Sequence, residues 1–191
     1  MQPQKQFLIP VQEYRFQPGR FHWPEHPVLT PSSASDKLPL TQLANDLDKE
    51  LKIKACIAAG PSPALRIFLD PSITSPEEYR LVISKAAISI FTSSDAGTYY
   101  AVQTLRDMLA FSSKTMPCCL IRDYPLFRRR GVYHDCSRGK VPKIQTLLDL
   151  VERLAHWKVN ELQLYIENTF TFRRHPAIGK GYSPFTPDEL L

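Results

Sequence analysis

Polar side chains gather where a predicted β-strand ends in the last third of the chain. In the segment LQLYIE, residues 162–167, apolar and polar residues alternate with the two-residue period of a strand, and Glu167 and Asn168 stand at its end. The apolar side suits a helix layer, so the polar side is left to meet a ligand. Carboxylate and amide oxygens accept hydrogen bonds from hydroxyl groups. The pattern predicts a ligand site at this strand end, and the alternative for the carboxylate is a solvated loop position.

A second predicted strand lies upstream, in the segment RRRGVYHDCSRG, and carries further polar candidates. His134 and Asp135 are adjacent, so their side chains point to opposite faces of the strand and do not form a base and its orienting partner. Arg138 is expected to pair with a neighbouring carboxylate. Arg130 offers a planar guanidinium, which suits either a salt bridge or a pair of ligand hydroxyls.

Aromatic residues follow the second strand, in a long segment that contains Phe170, Phe172 and Tyr182. Such rings either stack on a ligand or pack beneath a loop, and packing is the expected role. His175, with Pro176, and the segment GKG, residues 179–181, are interpreted as loop residues only.

The elements that would position these residues are two β/α units. Pro142 opens a helix whose apolar residues form one wide face; they are Ile144, Leu147, Leu148, Val151, Leu154 and Ala155. Residues 186–189, TPDE, form a capping box with proline at the first helical position, so a second helix begins there. The order strand, helix, strand, helix is typical of a parallel sheet covered by helices.

The first 120 residues have a different pattern, which indicates an α+β unit. Residues 7–11 are strand-like, an amphipathic helix is predicted from Pro39 to Leu51, and strands are predicted at 65–69, 79–83 and 87–91, the last two as a hairpin. A second helix follows at 96–110, capped by Ser94 or Asp95. Most apolar residues of this region are assigned to a core.

Composition excludes several classes of function. The net charge of +5 includes an arginine-rich strand, but alternate strand residues face opposite sides and give no continuous phosphate-binding stripe, so no nucleic-acid partner is expected. The four cysteines have no metal-ligand spacing and are expected to be thiols. No cofactor, metal or membrane span is predicted, and the first nine residues lack a leader pattern, which favours a cytoplasmic location.

Two groups of motifs resemble glycoside hydrolase family 20, the β-N-acetylhexosaminidases. The segment EEYRLVISKAAISIFTSSDAGTYYAVQTLRDML resembles the small α+β domain that precedes the barrel in many members. The segments DYPLF and RRRGVYHDCSRG, then KVNELQL, resemble the start of the catalytic barrel. The usual Ser-Arg-His-Phe of the family reads SRGK here, at residues 137–140.

The resemblance implies a fold: a small α+β sandwich domain over residues 1–120, then the first two β/α units of an incomplete TIM barrel over residues 121–191. Residues 121–191 fall far short of the about 250 residues of a complete barrel. The open strand edges and half-covered apolar faces are therefore expected to associate, misfold or remain mobile unless another chain covers them.

The resemblance also implies an activity, removal of terminal N-acetylhexosamine from glycans by substrate-assisted retaining hydrolysis. Arg130 matches an arginine that binds sugar hydroxyls, although it lies early in its strand, and Glu167 or Asn168 matches an acidic sugar contact. The catalytic Asp-Glu pair belongs to a later strand, so no catalytic residue is assigned and this chain alone is expected to be inactive. The alternative is a non-catalytic carbohydrate-binding or interaction module.

Overall fold

The computed structural model describes residues 7–112, 114–139 and 141–190. Residues 1–6, the larger part of the segment for which no leader is predicted, lie outside the described residues. The chain divides into two compact units, residues 1–126 and residues 127–191. Both mix helices and strands, so the predicted α/β and α+β character is confirmed at this level.

The first unit is built on a seven-stranded sheet. Its strands are β1 (Glu13–His22), β2 (Val28–Thr30), β3 (Cys56–Ile57), β4 (Leu65–Leu69), β5 (Tyr79–Ile83), β6 (Ile88–Thr92) and β7 (Thr115–Asp123). Their order across the sheet is β1-β7-β5-β6-β4-β2-β3. The pairs β1-β7, β7-β5 and β5-β6 are antiparallel, whereas β6-β4, β4-β2 and β2-β3 are parallel.

Two helices cover one side of this sheet, α1 (Lys37–Asp46) and α2 (Asp95–Ala110). The predicted apolar stripe is confirmed, since Leu40 and Leu43 of α1 are fully buried, as is Leu47 in the π-helical turn Leu47–Leu51 that follows the helix. At the start of α2, the Ser94 hydroxyl accepts a hydrogen bond from the Gly97 amide at 3.2 Å. A Cβ on Gly97 would lie 2.7 Å from the Glu78 carbonyl oxygen, so only glycine allows the helix to approach the sheet this closely.

The segment of residues 7–11 is not a strand, contrary to the prediction. Phe7 and Val11 are buried, but the segment forms no strand ladder, and a carboxylate holds its backbone at Leu8. The Leu8 amide donates to Asp107 Oδ2 at 2.9 Å. The Gln12 amide, next along the chain, donates to Asp123 Oδ1 at 3.1 Å. The first strand begins only at Glu13.

A buried polar group lies at the end of β7. The Tyr79 hydroxyl contacts the Thr104 hydroxyl and donates to Asp123 Oδ2 at 2.9 Å. Burial, helped by the nearby Asp123 carboxylate, raises the pKa of Tyr79 well above its ordinary value. Because Asp123 also holds residue 12, the end of β7 belongs to the first unit, and the two units divide six residues after the expected boundary at 120.

The second unit contains a two-stranded parallel sheet, β8 (Gly131–Asp135) with β9 (Glu161–Tyr165), joined by α3 (Ile144–His156). A short helix, α4 (Pro187–Leu190), begins inside the predicted capping box, and Glu189 Oε2 accepts hydrogen bonds from the Thr186 amide and hydroxyl. The predicted assignment of faces is confirmed. Leu164 packs with Leu147 of α3 in a small apolar cluster.

All four cysteines are free thiols. Cys56 is exposed at the end of the sheet order, on β3, while Cys118, Cys119 and Cys136 are buried. Burial raises the pKa of the Cys119 thiol to about 12. Among the described residues there is no cluster of His, Cys, Asp and Glu that could hold a metal ion, and no helix long and apolar enough to cross a membrane.

Candidate functional site

The polar side of β8 and β9 forms an exposed surface at the carboxyl ends of the two strands. Tyr133 pairs with Gln163, and Asp135 with Tyr165, so these four side chains point to the side away from α3. The Tyr133 and Tyr165 rings lie 6.0 Å apart between centroids with an interplanar angle of 35°. Tyr133 is 60% exposed, so its ring is accessible to a ligand.

Glu167 is held by two side chains of this surface. The Tyr165 hydroxyl donates to Glu167 Oε1 at 2.6 Å, and Arg138 Nη2 lies 3.4 Å from the same oxygen. These hydrogen bonds, the tyrosine's above all, lower the pKa of Glu167, and the same contact raises the pKa of Tyr165. The expected pairing of Arg138 with a nearby carboxylate is confirmed.

Asp135 is fixed by the turn that follows β8. Its Oδ1 atom accepts hydrogen bonds from both the amide and the hydroxyl of Ser137, each at 2.7 Å. These bonds lower the pKa of Asp135. His134 points to the other face, paired with Leu164, so the two adjacent residues do not form a base and its orienting partner, as predicted.

The electrostatics of the surface suit hydrogen-bond acceptance. A general acid at neutral pH needs a raised pKa, whereas the pKa values of Glu167 and Asp135 are both lowered. Both groups are ionised at pH 7 and accept hydrogen bonds from hydroxyl groups. Together with the exposed Tyr133 ring, they offer acceptors beside an apolar face, an arrangement that can bind a sugar ring.

Arg130 lies at the opposite end of β8, immediately before its first residue. Its Nε atom donates to the Lys158 carbonyl at 2.7 Å and its Nη1 atom to the Phe127 carbonyl at 2.8 Å. The five residues of β8, about 16 Å of strand rise, and then Cys136 separate it from Ser137. The structure therefore does not bring Arg130 and Glu167 together, and the sugar-binding role of Arg130 stays a prediction.

The loop after β9 is held by packing. The Asn168 carbonyl oxygen would lie 2.6 Å from a Cβ on Gly179, whose φ of +82° is in the left-handed region, so the two segments touch. Phe170 pairs with Phe185 in a parallel bridge and meets Phe172 edge-on at 5.2 Å. Phe170 therefore packs, as expected. Asn168 is half-buried, and its role in binding stays a prediction.

Tyr133 and Tyr165 are site residues that sequence reasoning did not single out. Each stands on the polar side of its own strand, so the alternation alone could have placed them. Their proximity depends on the parallel register, Asp135 beside Tyr165, and no local sequence pattern determines that register.

Residues 5–124 match the model of glycosyl hydrolase family 20, domain 2. The match covers more than half of the chain. This chain belongs to glycosyl hydrolase family 20. It is similar to a β-N-acetylhexosaminidase of Cellulomonas fimi, with 30% identity over 156 residues, which are 78% of this chain and 31% of that protein. It is also 28% identical to β-hexosaminidase B of Pseudoalteromonas piscicida, over 53% of this chain and 13% of that one.

Solved structures of family 20 proteins share the fold. The β-N-acetylhexosaminidase of Streptomyces coelicolor A3(2) aligns with a TM-score of 0.85 at 18% identity, covering 98% of this chain and 42% of that one. The exo-β-N-acetylglucosaminidase of Vibrio harveyi, solved with N-acetylglucosamine, aligns with a TM-score of 0.78 at 20% identity. The alignment covers 92% of this chain and 28% of that one. The chain spans less than half of the length of each of these relatives.

Proposed function

We propose that this chain supplies the accessory domain and the first two β/α units of the barrel in a β-N-acetylhexosaminidase that removes terminal N-acetylhexosamine from glycans. The family membership and the names of the relatives support the glycosidase class. The observation that carries the substrate contact is the ionised Glu167 carboxylate, held between Tyr165 and Arg138 at a strand end. Barrel enzymes bind their substrates at the carboxyl ends of the strands.

The proposed chemistry is substrate-assisted retention, in which the 2-acetamido oxygen of the sugar attacks the anomeric carbon. In that reaction the residues of this chain bind and orient the sugar. Glu167 accepts a hydrogen bond from a ring hydroxyl, and Tyr133 covers one side of the ring. The Asp-Glu pair that the family uses at its fourth strand is not assigned to any residue here, so the chain by itself has no turnover.

The first test is a hydrolysis assay of the 191-residue chain with a chromogenic N-acetylglucosaminide. No turnover is expected. Turnover that a point variant of this chain abolishes would overturn the proposal that the chain alone is inactive. In a longer protein that carries this chain together with the rest of a barrel, turnover is expected, and binding without turnover would favour the non-catalytic module instead.

The second test changes Glu167 to Gln in the longer protein. Loss of the ionised acceptor is expected to raise KM about tenfold with a smaller effect on kcat, because the contact is to a hydroxyl and not to the breaking bond. Glu161→Gln, an exposed change at the amino end of β9, is the matched control and leaves both constants unchanged. In the 191-residue chain, Glu167→Gln returns the pKa of Tyr165 towards 10, measured by NMR; an unchanged pKa would contradict the hydrogen bond.

Arg130 needs a separate variant, since its guanidinium already binds two main-chain carbonyls. A sugar-binding role predicts that Arg130→Ala raises KM while the unfolding midpoint of the second unit falls only slightly. A lower midpoint with unchanged KM would assign Arg130 to the structure of the strand end.

A further inference from the structure

The side of the seven-stranded sheet that faces away from α1 and α2 carries two rows of side chains across five strands. Residues that pair directly between neighbouring strands point to the same side of the sheet. The first row is Glu13, Arg122, Arg80, Phe91 and Phe68, from β1 to β4. The second row is Arg15, Leu120, Val82, Ser89 and Arg66. We call these ten residues the open face.

The open face is accessible to solvent. None of its ten residues is buried, whereas the residues that alternate with them on the central strands, such as Leu81 and Ile90, are fully buried beneath the helices. Five neighbouring strands at about 4.8 Å spacing make a surface about 19 Å wide. This width is enough for several sugar rings of an extended chain.

A pair of aromatic rings stands at one end of the first row. The Phe68 and Phe91 rings are stacked, with centroids 5.1 Å apart and an interplanar angle of 14°. Phe68 is 37% exposed, and the adjacent Leu69, at the end of β4, is 62% exposed. Each ring holds the other in place, so the pair offers a rigid apolar surface in water.

Ion pairs occupy the rest of the first row. Arg122 Nε lies 2.8 Å from Glu78 Oε1, and its Nη1 lies 3.2 Å from Glu13 Oε1. Arg80 Nη1 lies 3.4 Å from Asp70 Oδ2. Because each guanidinium is paired with a carboxylate, their charges largely cancel. The guanidinium groups, which donate hydrogen bonds, therefore lie beside carboxylate groups, which accept them.

This chemistry selects among possible ligands. A strongly anionic polymer would have to displace the carboxylates from Arg80 and Arg122 and would meet their repulsion. A neutral sugar has hydroxyl groups that both donate and accept hydrogen bonds, so it can bind the pairs without breaking them. The apolar face of its ring suits Phe68.

We propose that the open face is a second glycan-binding surface, which takes an uncharged polysaccharide chain with one ring against Phe68 and hydroxyl groups on the Arg80 and Arg122 pairs. The choice of an N-acetylhexosamine polymer rests on the proposed function. A surface of this kind would hold a polymer on the same chain as the site at Glu167 and raise its local concentration there.

The test is binding of the 191-residue chain to insoluble β-1,4-linked N-acetylglucosamine polymer, measured as an adsorption isotherm. The chain is expected to bind, and Phe68→Ala to weaken binding about fivefold to tenfold. The matched control is Phe111→Ala, which removes another exposed phenylalanine of the same unit, 67% exposed, and leaves binding unchanged. Circular dichroism checks that both variants fold.

Arg80→Met is a second variant that tests the polar part of the row, with an expected loss of about tenfold. No binding of the unchanged chain, or equal binding of Phe68→Ala and Phe111→Ala, would overturn the proposal. Preferred binding to polyglutamate, lost in Arg80→Met, would instead identify an acidic polymer as the ligand and overturn it too. Hydrolysis by the longer protein is measured separately on a small substrate that cannot span the open face, so failure of the proposed function is distinguishable.

Discussion

The two units of this chain differ most in how much apolar surface each encloses. Among the described residues, the first unit has a core cluster of 26 buried apolar residues, and the second has three, Cys136, Leu147 and Phe185. The sheet that the described residues of the second unit form has two strands, which is marginal by itself in water. The unit with the stronger core therefore stabilises the chain, while the unit with the weaker core carries the candidate substrate site.

The largest expected effect comes from the core of the first unit. Leu81→Ala removes a fully buried side chain of β5 and is expected to lower the free energy of unfolding of that unit by about 3 kcal/mol. Leu69→Ala, on the exposed end of β4, is the control and changes it by less than about 0.5 kcal/mol.

The two tryptophans allow this effect to be followed in each unit separately. Trp23 is buried in the first unit and Trp157 is partly exposed in the second, so Trp157→Phe and Trp23→Phe backgrounds give one fluorescent reporter each in urea unfolding. The Trp157 signal is expected to have its midpoint at a lower urea concentration than the Trp23 signal, and Leu81→Ala is expected to leave that midpoint unchanged. If both signals move together, the units unfold as one and the comparison fails.

The next effect concerns pH. The pKa of Tyr79 is raised by burial, so below pH 10 both folded and unfolded chains keep its proton and the stabilisation is complete. Above pH 10 the unfolded chain loses that proton more readily, so the stability of the first unit falls as pH rises further. Tyr79→Phe is expected to reduce this fall. At neutral pH it is expected to lower the free energy of unfolding of the first unit by about 2 kcal/mol, because Asp123 loses a buried donor.

Tyr182→Phe, an exposed change in the second unit, is the control for the alkaline titration. It should leave the pH dependence of the Trp23 signal as it is. An equal loss of stability above pH 10 in the unchanged chain and in Tyr79→Phe would assign the alkaline sensitivity to other groups.

The smallest effect concerns α3. We propose that the second unit associates with other protein surfaces through the apolar side of α3, where Leu148 is 51% exposed and Val151 is 47% exposed. Sedimentation velocity is expected to detect self-association at high concentration, weakened about fivefold to tenfold by Leu148→Lys. Ile178→Lys, an exposed change in the loop after β9, is the control. If the chain sediments as a monomer at all concentrations, the proposed self-association is wrong.

The sequence predicted the elements whose periodicity is local. The strands β4, β5 and β6 and the helix α2 were found because their alternation or helical stripe is uninterrupted. In contrast, β1 contains Pro18 and Gly19, and its pairing with β7 breaks register between Phe16 and Arg20, so no simple alternation marks it. In β7, Pro117 and the adjacent Cys118 and Cys119 hide a strand that lies between β1 and β5.

The candidate site was predicted in part for the same reason. Glu167 follows a strand with clear alternation, and its position at the strand end could be inferred from the sequence. Its hydrogen bond with Tyr165 is local, since the two residues are two positions apart. Its contact with Arg138 depends on two strands lying parallel in one register, which is a long-range property. The segment of residues 7–11 was misassigned because the partner of its Leu8 amide, Asp107, is 99 residues away along the chain. Asp123, the partner of the following Gln12 amide, is 111 residues away.

Because both units contain a buried thiol, the rate of alkylation of each buried thiol measures how often its own unit opens. Cys56 is exposed and will react with an alkylating reagent at once, whereas Cys136 reports opening of the second unit and Cys118 and Cys119 report opening of the first. Timed labelling followed by mass spectrometry would therefore measure the opening rates of the two units separately, in a single sample and without any substitution. Cys136 should be alkylated long before the other two buried thiols.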